Sequence, residues 1–347
     1  MNTKYTYNTM KWRSLLCTMI ALPTLLLLTS GAWAQDVPCQ STNSAPPLFK
    51  LRIALQWLPQ SQFAGFYMAR DQGLYLEAGL DVSLIHTGPG PSPLDFIERD
   101  DSDFATLFLA DAIVASEKYG LINIAQLAQR STLMLVGFKD MGILKPADLD
   151  GKAVSYWQSA FSAAFEAFFR QQGLHPIAVP QHYSVNLFLR RGVAACAVME
   201  YNEYHRIFQA GVDFDELTIF RMADFGLGFP EDGLYTTATF AQQHPDICRT
   251  LRQATMAGWE YARTHPEKAV DTVLRESRQA EVPANRPHAR WMLDHLLLSI
   301  FPADETGQPG TLKKTEYTAT ANSLVNSGLL LRIPPYTQFA PLEEETP

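Results

Sequence analysis

Four aromatic residues sit where the chain is expected to turn from a strand into a loop or helix. Trp57 opens the Pro-containing segment Trp57-Leu58-Pro59-Gln60, Tyr67 follows on a helical pattern with Phe63 one turn before it, and Tyr156 and Trp157 precede Ser159. Flat apolar faces of this kind stack on planar molecules, which adds about 0.5–1.5 kcal/mol beyond burial alone. Glu200 and Glu203 offer carboxylates able to accept paired hydrogen bonds, while Gln60 and Gln62 add amides and Ser159 a hydroxyl. Each residue also has a plainer role open to it. Trp57 and Tyr67 could pack in a core, the two glutamines could satisfy loop backbone, and Ser159 could cap a helix. Both acids could lie on a solvated helix start, where negative charge suits the dipole. Trp157, after a strand and before a helix, occupies a position at which open α/β sheets bind ligands.

Patterns that would mark catalysis or metal binding do not occur. The eight histidines are scattered without HxxxH or HExxH spacing, and Cys39, Cys196 and Cys248 form no CxxC pair. Gly88 and Gly90 flank Pro89 with no GK[ST] after them, so a phosphate loop has no support. His86, just before that turn, reads as a strand-end or surface residue. No serine or cysteine carries a recognisable nucleophile motif. The expectation is a protein without metal, cofactor or enzymatic activity. An oxidising compartment would permit one disulfide, with the pairing left open.

The compartment is read from the N-terminus. Lys4, Lys11 and Arg13 precede any acid, an apolar run covers 15–28, and Ala32-Trp33-Ala34 places small residues at the −3 and −1 positions of a signal-peptidase site. Residues 1–34 are expected to be a cleaved signal peptide and 35–47 a flexible leader, giving a soluble periplasmic protein; an uncleaved anchor is the alternative. No lipobox surrounds Cys17 or Cys39, and no later stretch reaches the eighteen or so apolar residues of a membrane span. Without the three signal-peptide cations, 25 Lys and Arg face 36 Asp and Glu. That surface repels a phosphate backbone, so nucleic acid is not an expected partner; a monomer is expected.

Positioning these residues requires elements that alternate. Strand patterns fall at 51–55, 80–85, 104–107, 122–129, 134–138, 153–156 and 194–199. Helical patterns fall at 93–99, 110–119, 159–171, 186–191 and 203–210, with Ser61 as a candidate cap for the helix carrying Phe63, Phe66 and Tyr67. The remainder is mainly helical, at 245–264, 266–275 and 289–301. Such alternation predicts an α/β fold on mostly parallel sheets.

The segment Trp57-Leu58-Pro59-Gln60-Ser61-Gln62-Phe63-Ala64-Gly65-Phe66-Tyr67-Met68-Ala69 strongly resembles the opening of the thiamine-pyrimidine-precursor binding family, which belongs to the solute-binding proteins of ABC importers. Gly73-Leu74-Tyr75, Gly79-Leu80-Asp81-Val82 and Gly88-Pro89-Gly90 fit its helix, strand and glycine turn. Lys145-Pro146-Ala147-Asp148-Leu149-Asp150-Gly151-Lys152 resembles the entry to the second lobe in the wider class, and Tyr201-Asn202-Glu203-Tyr204 the acidic segment near the pyrimidine. The resemblance spans about 50–275. It implies a two-lobed type II periplasmic-binding fold, with 48–137 and 232–335 in one lobe, 138–231 in the other and 336–347 as a tail.

It further implies a small heteroaromatic ligand taken up by hinge closure and handed to an ABC permease in the inner membrane. Glu203, Asn202 and Glu200 would face the pyrimidine, Asp111 would lie near the cleft and Asp232 near the hinge. One departure stands out: where many members carry Asp-Phe-Gly, this chain has Asp103-Phe104-Ala105, a bulkier residue expected at the cleft wall. Two other functions are weighed. A pyrimidine synthase-like enzyme would need a cysteine-rich iron motif that does not occur here. A binding protein that presents its ligand to a membrane receptor would differ only in its partner.

Overall fold

The computed structural model describes residues 47–303 and 308–343. The chain begins with β1 (Phe49–Leu55), α1 (Ala64–Asp71), α2 (Leu74–Glu77), β2 (Leu80–His86), α3 (Pro93–Glu98), β3 (Phe104–Phe108), α4 (Leu109–Tyr119) and β4 (Leu121–Gln126). There follow β5 (Leu133–Phe138), β6 (Ala153–Tyr156), α5 (Ala163–Gln172), β7 (Ile177–Pro180), α6 (Asn186–Leu189), β8 (Ala195–Met199), α7 (Glu203–Gln209) and β9 (Leu217–Arg221). The last part holds β10 (Asp232–Thr237), α8 (Ala238–Gln243), α9 (Pro245–Thr264), α10 (Pro266–Gln279), α11 (Arg286–Ile300), α12 (Lys314–Asn326) and α13 (Tyr336–Phe339).

The strands form two five-stranded sheets, ordered β2-β1-β3-β10-β4 and β7-β6-β8-β5-β9. Four strands of each sheet run one way. The fifth, β10 in the first sheet and β5 in the second, runs antiparallel to both of its neighbours. Every residue of β4, β5 and β8 is buried, as in strands covered on both faces, and β5 and β8 accordingly read as continuous apolar runs.

Strand pairing moves the expected lobe boundary at 137. Leu133–Phe138 bonds along both edges to β8 and β9 and therefore belongs with the second sheet. Its six buried residues need a partner on each side, and only that sheet supplies them. The chain crosses between halves at 127–132 and again at 222–231.

Glu231 ties these two crossings together. Its Oε1 accepts from the Thr132 amide at 2.7 Å and from Ser131 Oγ at 3.0 Å, and its Oε2 accepts from Thr132 Oγ1 at 2.9 Å. Burial, reinforced by the adjacent Asp232, pushes its pKa up to about 8.

Helix α11 is wedged between the halves. Ala289, Leu293 and Ile300 join the core of the first sheet, while Met292 and Leu296 join that of the second. Helices α1 and α9 cross at glycines: a Cβ at Gly258 would come within 2.2 Å of the Gly65 carbonyl oxygen, and one at Gly65 within 2.3 Å of the Trp259 ring.

Other expectations shift. Ser61 caps nothing; its Oγ donates to the Ala289 carbonyl at 2.7 Å, and a short 3-10 turn at Ser61–Phe63 precedes α1. The expected tail is partly packed, with Phe339 and Ala340 buried against Tyr235 and Tyr317. Cys196 and Cys248 are buried free thiols in different cores. The expected signal peptide, Cys39 and nearly all of the expected leader lie outside the described residues.

Candidate functional site

The parallel strands β1, β2, β3, β6, β7 and β8 all point their carboxyl ends at one cleft of about 700 Å³. Sheet geometry explains the location, because backbone leaving the strand ends diverges there and opens a crevice. From the first half come Gln56 and Trp57 after β1, Pro89 after β2, and Phe108 and Asp111 where β3 enters α4. From the second come Trp157 and Ser159 after β6, His182 and Tyr183 after β7, and Tyr201 and Glu203 after β8.

The first-half floor is a chain of amides anchored on a buried acid. Asp232 Oδ1 and Oδ2 each accept from Gln62 Nε2 at 3.0 Å, and Oδ1 also accepts from Gln56 Nε2. Gln62 Oε1 in turn accepts from Gln60 Nε2 at 2.6 Å. Burial lifts the Asp232 pKa to about 6 in spite of these donors.

Glu203 is only 6% exposed yet lines the cleft. Its Oε2 accepts from the Met199 amide at 3.0 Å and its Oε1 from Asn202 Nδ2 at 2.8 Å, leaving lone pairs on both oxygens for a ligand. Burial pushes this carboxyl above its ordinary range. Asn202 is held from behind: its Oδ1 accepts from Arg206 Nε at 3.0 Å and contacts His288 Nε2 at 3.2 Å. An amide oxygen only accepts, so His288 donates through Nε2. Its Nδ1 then accepts from His205 Nδ1 at 2.9 Å, in keeping with a His288 pKa that burial lowers to about 3. Helix α11 of the first half thus braces the carboxylate of the second.

Eight of the residues singled out in the sequence meet in the cleft: Trp57, Gln60, Gln62, Asp111, Trp157, Ser159, Asn202 and Glu203. Five lie off its surface. Asp232 sits directly beneath the glutamines. Phe63 is in the first core, 1% exposed, and Tyr156 is in the second core against Phe165 and Phe169. Glu200 pairs with Arg221 at 3.0 Å instead of turning inward.

Tyr67, fully buried, holds His86 Nε2 at 2.9 Å, and His86 Nδ1 holds the Trp57 carbonyl at 2.8 Å. A carbonyl cannot donate, so His86 donates through Nδ1 and Tyr67 donates to Nε2. Tyr67 therefore steadies the loop carrying Trp57 without touching the cleft, and His86, half-buried at the end of β2 as its position suggested, is a structural residue. Ala105, expected at the cleft wall, is wholly buried within β3; Phe108 at the strand end lines the wall instead.

Sequence reasoning missed Gln56, Phe108, Gln181, Tyr183 and Tyr201. Strand ends were the available signal, since each of these residues lies at or just beyond one. Gln181 is fixed by donating to the Ala197 carbonyl at 2.6 Å and accepting from Ser155 Oγ at 2.9 Å. Among the described residues, no group of three or more His, Cys, Asp or Glu is placed to hold a metal ion.

Two sheets, each with one antiparallel strand placed directly after a crossing of the chain from the other half, around a cleft at their carboxyl ends, define the periplasmic-binding-protein fold. The periplasmic aliphatic sulphonate binding protein of Escherichia coli matches with a TM-score of 0.65 at 15% identity, over 84% of this chain and 91% of that one. The ligand-binding component of an ABC-type import system from Staphylococcus aureus matches with a TM-score of 0.62 at 14% identity, over 86% and 98%.

Residues 60–269 match the family described as NMT1/THI5 like, and the chain belongs to that family. A formylaminopyrimidine-binding protein of Halalkalibacterium halodurans is 20% identical over 258 residues, covering 71% of this chain and 76% of that protein.

Proposed function

We propose that this protein is the exported, periplasmic solute-binding component of an ABC importer, and that it captures a flat, amine-bearing heteroaromatic molecule of the thiamine-pyrimidine-precursor class. One observation carries the reading: indoles from opposite halves, Trp57 and Trp157, line the same cleft as the buried carboxylate of Glu203. A planar ring between the halves would stack on the indoles and give its exocyclic amine to Glu203. Neither half alone supplies both faces, so binding favours the closed arrangement, with 127–132 and 222–231 acting as the hinge. The closed form would then dock on a membrane permease. The formylaminopyrimidine binder supports this choice of ligand class over the sulphonates bound by the Escherichia coli protein.

The test is a thermal-shift and calorimetric screen with aminopyrimidines, thiamine, purines, amino acids and sulphonates. A ligand present at 100 times its Kd adds about 2.7 kcal/mol of stability. An aminopyrimidine shift that disappears in Glu203→Ala fits the proposal. Stabilisation only by another class would discard the ligand assignment.

A further inference from the structure

The cleft has an uneven charge inventory. Asp111 and Glu203 line it, and Asp232 lies just behind Gln56 and Gln62. Among the described residues no lysine or arginine lines it, and the His182 ring is its only side-chain nitrogen base. The nearby guanidinium of Arg206 is turned to Asn202 Oδ1, and that of Arg221 to Glu200.

An anion could also be held by the start of a helix, where unpaired amides and the dipole favour negative charge. The 11-residue α4 presents its first turn to the cleft, but Asp111 already occupies that turn. Tyr201, 2% exposed and lining the cleft, is held in the neutral form chiefly by its burial, with the neighbouring acidic groups, Asp232 foremost, acting in the same direction. The remaining surface consists of aromatic faces from Trp57, Trp157, Phe108 and Tyr183, whose negative π clouds attract cations.

Building on the proposed function, we infer that this cleft selects its ligand by charge: it accepts neutral and cationic molecules and excludes anionic ones, phosphate monoesters and sulphonates included. A cation draws Glu203 into its ionised form and gains a counter-charge together with aromatic faces. An anion gains no such counter-charge: it meets carboxyl groups and aromatic faces in a partly desolvated space whose lining, among the described residues, holds no lysine or arginine to pair with it. Two proteins with one fold would thereby divide their ligands, since the Escherichia coli relative takes aliphatic sulphonates.

The experiment is calorimetric titration of the full chain with one 4-aminopyrimidine ring bearing, at C5, a hydroxymethyl, an aminomethyl or a phosphoryloxymethyl group. The aminomethyl cation should bind at least as tightly as the neutral alcohol, and the phosphate ester at least about 100-fold more weakly. In Asp111→Asn/Glu203→Gln the spread should shrink to about tenfold or less. A phosphate ester within tenfold of the alcohol overturns the charge rule while leaving the ring assignment standing.

If none of the three binds, the ring assignment fails and the charge rule is read without a ligand. Tryptophan fluorescence is then quenched with caesium and with iodide at equal ionic strength, in the wild type and the double variant. Caesium should quench more effectively, with an advantage that falls in the variant. A caesium-to-iodide ratio unchanged by removing the two carboxylates also overturns the rule.

Discussion

Replacing Glu231 by glutamine should make this protein more stable at alkaline pH without breaking the joint between its halves. In the wild type, Oε1 receives the Thr132 amide and the Ser131 hydroxyl, and Oε2 receives the Thr132 hydroxyl. The glutamine side chain would keep an oxygen for the first two, and its amide would donate to Thr132 Oγ1, which also accepts. What changes is ionisation. The folded-state pKa is raised from 4.5 to about 8, so folding favours the protonated carboxyl.

The unfolded chain releases this proton near pH 4.5 and the folded one only near 8, so the wild type's advantage is complete below 4.5 and disappears as pH climbs through 8. At 1.36 kcal/mol for each pH unit between the two ionisations, the loss is about 3–5 kcal/mol, a large share of a typical folding free energy of about 5–15 kcal/mol. Asp232, raised from 3.8 to about 6, loses its own contribution over a lower window, and that loss is common to both proteins. Urea unfolding followed by tryptophan fluorescence at pH 4.5, 6, 7 and 8.5 gives the comparison. The two proteins should nearly coincide at pH 4.5, with Glu231→Gln gaining steadily above it. Parallel pH profiles would show that Glu231 is not held protonated by the fold and would refute the reasoning.

Trp57→Ala should weaken ligand binding about 10-fold or more through lost stacking and burial, with little change in the unfolding midpoint of the free protein; calorimetry and thermal melts read both. Tyr67→Phe should do the reverse, because it leaves His86 Nε2 without its donor. The expected cost is about 1–3 kcal/mol of stability by urea titration, with affinity changed no more than about threefold. Gly258→Ala should destabilise by about 3 kcal/mol or more, because the added methyl meets backbone at Gly65 and helix α1 must move away from α9. A Gly258→Ala unfolding curve superimposable on the wild type would mean that this crossing is looser than its geometry indicates.

Much of the first half was legible in the sequence because local rules and tertiary needs agree there. Strand 51–55 and helices 245–264 and 266–275 carry uninterrupted periodicity, and they recur as β1, α9 and the first part of α10. Strands β7, β9 and β10 carry no comparable signal. Three of the four residues of β7 are exposed at a sheet edge, and β10 opens with Asp232-Gly233, residues that favour turns over strands. The site divides along a similar line. Trp57, Trp157 and Glu203 stand at junctions where a strand ends, and junction position is visible in sequence. Tyr67 and Phe63 share the same motif, but helical periodicity cannot say whether a stripe faces a ligand or a core; Trp259 and its neighbours decide that here. Glu200 turns away because Arg221, on a strand that the pattern does not reveal, lies within ion-pair reach.

The way each sheet obtains its antiparallel strand bears on how the protein comes into being. All five strands of the second sheet lie in one uninterrupted stretch, 133–221, so that sheet can assemble as soon as this stretch has left the ribosome or crossed a membrane. The first sheet cannot. Its β3 and β4 are kept apart by β10, which is made more than a hundred residues later, and until then both carry an unpaired edge beside apolar surface. Formation of the first sheet is therefore obliged to wait for the second half, and α11, which seals both cores, comes later still. A slow closing step dominated by such distant pairing is the expected kinetic signature, and the waiting edges of β3 and β4 are where a chaperone would have most to protect.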